Sequence, residues 1–256
     1  MNLQRWFDLF LAFAYRDVSI RYKQSLLGFW WAVLKPAISV VIFTTVFSTV
    51  VGLSLDSPYP YWFFVVTGIV PWLFFSFGLS EISGSILADS DILKKIAFPK
   101  ILTPIASLIP SAIELLIAFS IILLMYLWFG HYNVRIFLIP FSILFIIICP
   151  FGFGLIFASL NVFYRDFRFI VPFVLQVGIY ITPVGYHISN IPDWLLWLVS
   201  INPMVLGIEI FRWCLGITPF LPPSAVVLPG IVALMISWSI GIITFNKLQH
   251  KFADSI

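Results

Sequence analysis

Apolar residues run along this chain in blocks long enough to cross a bilayer, for which a helix needs roughly 20 residues. Phe29 to Gly52, Tyr61 to Leu87, Ile101 to Phe129 and Val134 to Leu160 read as spans 1 to 4, the shorter Phe169 to Gly185 as span 5, and Ala225 to Phe245 as span 6. Pro60–Tyr61–Trp62 and Trp128 mark interfaces, where amphipathic aromatics collect. Residues 1–25 follow another pattern. Leu3, Phe7, Phe10, Ala14 and Val18 recur at helical spacing, with Arg5, Asp8, Arg16, Ser19 and Lys23 on the other side. That periodicity predicts an amphipathic helix in the head-group plane rather than a disordered N-terminus. Ile191 to Leu215 is apolar enough to span, but Asn202–Pro203 breaks it, and Glu209 and Arg212 interrupt its second half. The predicted architecture is all-α and membrane-integral, one domain over residues 1–256. It has six transmembrane helices, an N-terminal amphipathic interface helix and an outer re-entrant helical hairpin between spans 5 and 6. The exposed backbone of such a hairpin is tolerable where protein buries it or it lines a cavity. No internal repeat suggests an inverted-repeat carrier.

Charge supplies the orientation. Of 14 Lys and Arg residues, this threading places 12 on one side and only Arg135 and Arg212 on the other. By the positive-inside rule both termini and the segment Ala88 to Lys100 are cytoplasmic, while Asp56, Asn133 and residues 186–221 face outward. A full crossing by Ile191 to Leu215 would carry Lys247 and Lys251 outside, against that rule. The chain is 61% hydrophobic and 10% charged, with a mean hydropathy of +1.08, outside the range of soluble domains. The pI near 8.9 points to anionic lipid head groups rather than nucleic acid, because the basic residues flank spans. The first twenty residues are charged and aromatic without a small-residue cleavage site, so no cleavable signal is expected. Cys149 and Cys214 lie in apolar surroundings and read as buried thiols.

Little here suggests chemistry. His131, His187 and His250 are far apart, and no cluster has metal-ligand spacing. There is no nucleophile elbow and no phosphate-cradling loop. Energy for any work must come from another subunit or from an ion gradient. Glu114, in span 3, is the one plausibly deep acid, without an obvious basic partner. It reads either as a thin proton relay or as a hydrogen-bonded group holding helices together. Glu81 lies nearer the cytoplasmic end of span 2, and Lys35 can snorkel to the interface. The 28 Phe, 10 Trp and 9 Tyr residues mostly face lipid or pack. Aromatic faces also stack on the C–H faces of sugars without fixing register, which suits a sliding glycan.

Two segments carry a family resemblance. Arg16–Asp17–Val18–Ser19–Ile20–Arg21–Tyr22–Lys23–Gln24–Ser25–Leu26–Leu27–Gly28–Phe29–Trp30–Trp31, leading on to Lys35–Pro36, resembles the start of the membrane subunit of ABC-2-type polysaccharide exporters. Asn161–Val162–Phe163–Tyr164–Arg165–Asp166–Phe167, with Thr182–Pro183–Val184–Gly185–Tyr186 and Asn202–Pro203, resembles the same family's loop between spans 4 and 5 and its outer gate. Leu93 to Pro104 is similar to its cytoplasmic loop after span 2. O-antigen exporters match best in this respect, and teichoic acid and capsule exporters share much of the pattern.

The resemblance implies the permease half of an ABC transporter in the bacterial inner membrane, exporting a polyprenyl-diphosphate-linked polysaccharide. Two copies would enclose one channel. Two separate ATPase subunits, which hold the ATP and Mg, would dock below, and this chain would bind no cofactor. Arg16, Arg21, Lys23 and Arg165 would meet the lipid diphosphate, a role that suits charge-assisted donors; positive-inside placement alone also accounts for them, as for Arg168. Gly28 permits a close approach before span 1, and Pro36 can loosen that helix. A lateral opening is implied between spans 1 and 5, with Tyr22, Trp31, Phe43, Phe47, Gln176 and Tyr180 as its residues. Residues 88–100 would couple to the ATPase: Leu93 and Ile96 point into a groove, Lys94 and Lys95 pair with acids, and Phe98 and Pro99 close the segment. Residues 186–221 form the outer gate region. A membrane enzyme acting on polyprenyl-linked sugars is the competing class, with Glu209 and Arg212 as its few candidates. An ion-coupled carrier would rest on Glu114.

Overall fold

The computed structural model describes residues 3–23, 28–54, 57–130 and 132–252. Gln24 to Leu27 of the basic stretch, Asp56, His131 and the extreme termini lie outside the described residues. The described chain is helical throughout. Eleven α-helices follow in order: α1 Leu3–Tyr22, α2 Trp31–Thr44, α3 Tyr61–Ala88, α4 Ser90–Lys95, α5 Leu102–Ser107, α6 Ile109–Phe129, α7 Ile139–Phe163, α8 Phe167–Ile181, α9 Asp193–Ser200, α10 Pro203–Cys214 and α11 Ser224–Leu248. A π-helical turn, Thr45–Val50, extends α2.

Five stretches are long and apolar enough to cross a membrane: Trp31–Val50, Tyr61–Lys95, Leu102–Phe129, Val134–Phe163 and Ser224–Lys251. They coincide with predicted spans 1, 2, 3, 4 and 6. Helix α8, in the place of span 5, has 15 residues, a rise of about 22 Å. The stretch that Asn202–Pro203 interrupts is two helices, α9 and α10, bent by 100°. The bend has a local cause. Pro203 cannot continue α9, and the Asn202 side chain caps α10 by accepting from the Met204 amide at 3.0 Å.

Helix α3 is the hub, and α7 packs along it, with α11 on the far side of α7. Without a hydrophobic drive between helices in lipid, close packing must hold them, and small residues permit it. A Cβ on Gly241 of α11 would lie 2.5 Å from the Gly152 carbonyl oxygen of α7, so only glycine fits there. Two ends of the bundle differ in character. At one end Ile86, Leu93, Val162, Phe245 and Phe252 form a cluster under α4, and α1 lies against α5 and α6. At the other, Tyr59, Tyr126 and Phe129 meet, and Val199, Leu206 and Val226 join the bent pair to the start of α11.

Gly241→Val should cost about 1–3 kcal/mol by overpacking the α7–α11 contact. The measurement is thermal unfolding in detergent, read by a thiol dye that reacts as buried Cys149 and Cys214 become exposed.

Candidate functional site: a charged cavity beneath α1 and two flanking devices

Helix α1 crosses the bundle at the end that carries α4. Its Arg21 reaches two acids, with Nη1 2.6 Å from Glu81 Oε1 and Nε 3.1 Å from Glu114 Oε1. Ser111 Oγ donates to Glu81 Oε2 at 2.8 Å, and the Tyr22 hydroxyl donates to Glu114 at 2.6 Å. Burial, then the bond to Glu114, raises the Tyr22 phenol above its ordinary value, so it remains a donor. Arg16 is bonded to Asp17 Oδ1 and to Asp89 Oδ1, each at 2.7 Å. Glu114 therefore has basic and phenolic partners, contrary to expectation. They stand 92 and 93 residues away in the chain, and only the lie of α1 across α6 joins them.

Beneath α1 is a cavity of ≈ 480 Å³ whose wall includes Arg16, Asp17, Arg21, Glu81 and Asp89. It gathers two of the four basic residues singled out from sequence. Lys23 and Arg165 are exposed and lie outside its lining. Lys35 turns its ammonium to the Phe77 ring, 4.6 Å from the centroid. Asn161, the first residue of the second motif, donates to the Ser83 carbonyl at 3.1 Å and ties α7 to α3. Asp89, Ser111 and Phe13 escaped the sequence reading, because nothing local in the sequence marks their partners.

The segment after α3 divides its residues by face. Leu93 is 5% exposed and sits in the cluster beneath α4. It anchors α4 to its own protein rather than pointing into a partner's groove. Ile96 is 54% exposed, and Lys94, Lys95 and Pro99 are exposed beside it. Phe98 packs on Phe13 of α1 at 5.3 Å.

At the opposite end Arg212 of α10 has 0% side-chain exposure. It donates to the Pro183 and Val184 carbonyls at 2.7 Å each, and to Glu209 at 3.0 Å. Its guanidinium lies 3.6 Å over the Phe64 ring of α3. One side chain thus joins α10, α3 and the turn after α8. The other side of that turn meets α2: a Cβ on Gly185 would fall 2.7 Å from Phe47 and 3.1 Å from Phe43. Tyr61 also donates to the Gly185 carbonyl, and Tyr186 donates to the Ile181 carbonyl at 2.8 Å. Phe43 and Phe47 therefore meet the turn after α8, while Gln176, Tyr180 and Trp31 are exposed. Glu209 and Arg212 satisfy each other in the interior. That leaves neither poised toward a substrate and removes the main support for a membrane enzyme.

An all-helical chain with this many crossing helices and a charged cavity at one end is an integral membrane protein. Residues 8–215 match the ABC-2 type transporter family, and the chain belongs to it. Among curated proteins it is 28% identical over 257 residues to the O-antigen export system permease protein RfbA of Klebsiella pneumoniae, covering 99% of this chain and 96% of that protein. It is 25% identical to the protein of the same name in Myxococcus xanthus, covering 100% and 98%. The polysialic acid transport protein KpsM of Escherichia coli is 25% identical over 77% of each chain.

Leu93→Asp should destabilise the permease by about 3 kcal/mol or more, since it buries a charge. Ile96→Asp should leave unfolding nearly unchanged, and the same thiol-dye melt compares them. Arg212→Met should cost about 3–5 kcal/mol, by leaving Glu209 buried and unpaired. Glu209→Gln, which keeps a hydrogen-bond acceptor, should cost less in that assay.

Proposed function

We propose that this chain is the permease half of an ABC exporter that carries a polyprenyl-diphosphate-linked polysaccharide, of O-antigen type, across the bacterial inner membrane. The observation that carries the reading is the cavity beneath α1. It sets Arg16 and Arg21 beside apolar helices, as an amphiphile with an anionic head requires. A diphosphate has more charge and more acceptor oxygens than a carboxylate, so it competes for both guanidiniums. Lys23 and Arg165, exposed on the surface, are read as further diphosphate contacts. The near full-length similarity to O-antigen export permeases, against 77% coverage for the polysialic acid protein, favours the O-antigen type over capsule. Teichoic acid remains the sister alternative.

In this reading α1 is an interface helix, and the spans are α2, α3, α5 with α6, α7, α8 and α11. The bent pair α9–α10 is a re-entrant hairpin in the outer gate region, residues 186–221. A contact supports that threading. Lys100 donates to the Gln249 carbonyl at 2.6 Å, which keeps the end of α11 beside the segment after α4. A full crossing by the bent pair would separate them. Both termini and residues 88–100 are then cytoplasmic. Two copies form the channel, and two ATPase subunits, which hold ATP and Mg, engage the exposed Lys94, Lys95 and Ile96 edge. The lateral opening is read between α2 and α8, with the exposed Trp31, Gln176 and Tyr180 as its residues. Tyr22, whose hydroxyl donates to Glu114 of α6, is read as belonging to the same opening. Aromatic faces there give a moving glycan adhesion without fixed register, the balance of entry and release that ion pores also strike.

Deleting the chain in its host should abolish surface polysaccharide and leave the polyprenyl-linked form inside the cell. Intact surface polysaccharide would refute the assignment. In the complemented strain, Trp31→Ala and Tyr180→Ala should lower export with expression unchanged, and the Leu variants should be nearly as harmful. Full export with Leu would reduce these rings to packing.

A further inference from the structure

We infer that the Arg16–Asp89 ion pair reports occupancy of the cavity to the α4 segment, because a diphosphate head group and Asp89 compete for one guanidinium. The inference rests on the head-group reading above and adds its regulation.

Phe13 and Arg16 are three residues apart and share a face of α1. That face holds the 88–100 segment at both ends. Phe98, near its end, packs on Phe13 with ring centroids 5.3 Å apart and the planes tilted by 56°. Asp89, at its start, meets Arg16 at 2.7 Å. The two contacts differ in kind. The aromatic contact is buried, with Phe13 5% exposed, and is indifferent to an anion. The ion pair is asymmetric: the Arg16 side chain is 31% exposed on the cavity wall, and that of Asp89 only 5%. Both line the cavity, but the arginine presents far more of its surface to an incoming anion than the acid does.

Removing Arg16 would therefore leave a buried carboxylate without its counter-charge, which is strongly unfavourable. Asp89 has to move. It is placed to do so, as the junction between α3 and α4, with φ −98° and ψ 16°, and its side chain makes no cap bond to α4. Motion there swings α4 about its two fixed points, Leu93 in the cluster below and Phe98 on Phe13. Lys94, Lys95 and Ile96 ride on that swing. Asp17, which also holds Arg16 at 2.7 Å, stays on α1 and transmits nothing. Linkage makes the coupling reciprocal: whatever strengthens the Arg16–Asp89 pair weakens head-group binding, and head-group binding loosens the segment.

The experiment uses the full chain in phosphatidylcholine nanodiscs, with an environment-sensitive dye at Ile96→Cys and farnesyl diphosphate as the probe. In the otherwise unchanged protein, farnesyl diphosphate should shift the dye signal. Asp89→Asn should bind it roughly tenfold tighter, the worth of one charge-assisted bond no longer broken on binding. Its dye signal should already sit at the liganded value. Asp89→Glu should restore both properties. Asp89→Ser serves as the second variant, and size exclusion checks that each is folded. Affinity and dye response in Asp89→Asn equal to the parent's would overturn the inference. So would a dye shift of the same size produced by phosphatidylglycerol alone. The head-group reading has its own control in Arg16→Ala/Arg21→Ala. Undiminished binding there sinks that reading, whereas lost binding there beside a parent-like Asp89→Asn sinks only the link to α4.

Discussion

Glu81, Asp89, Glu114 and Glu209 are acids carried into or against an apolar bundle, and each is met by a guanidinium from Arg16, Arg21 or Arg212. A carboxylate in such surroundings cannot stay charged without a partner, so these pairs constrain where helices can lie. Arg21 holds α1 to α3 and α6 at once. Arg212 holds α10 to α3 and to the turn after α8. Arginine suits both places because its planar fork of donors serves several acceptors together, as the carbonyls of Pro183 and Val184 illustrate. Breaking one partner costs more than the pair contributes. The same asymmetry makes such pairs usable as switches wherever one member can be reached from outside.

The α7–α11 seam offers no spare volume. Helices α7 and α11 pack backbone to backbone where Gly152 meets Gly241, and α3 carries the fully buried Phe63, Phe64 and Ile82. Open surface lies instead along α2 and the outward side of α8, where Trp30, Val41, Phe173 and Tyr180 remain exposed. A single copy buries little of α2. The contact of Phe43 and Phe47 with Gly185 marks where that surface meets the turn after α8. Arg212 supports the other side of the same turn, so α10 and α2 are connected through that stretch of irregular backbone.

Much was legible from periodicity alone. The apolar runs and their ends appear as helices within a few residues, and Asn202–Pro203 breaks its stretch where capping and proline geometry require. The residues that form the cavity were legible only in part. Arg16 and Arg21 stood out as basic residues in a motif, but the meeting of Arg21 with Glu81 and Ser111 did not, because it spans 60 and 90 residues of chain. Leu93 looked available to a partner, since a six-residue helix has too few turns for its buried face to be read from sequence.

Hydropathy, charge asymmetry and capping are local quantities, and the sequence by itself determined what they govern: a membrane-spanning helical chain, its segment boundaries and its basic side. The tertiary structure decided which charges meet. Ion pairing and close packing depend on distances between elements far apart in the chain. Thus Glu114 acquired Arg21 and Tyr22, Asp89 acquired Arg16, and Arg212 left the surface for the interior, for reasons that no window of sequence contains.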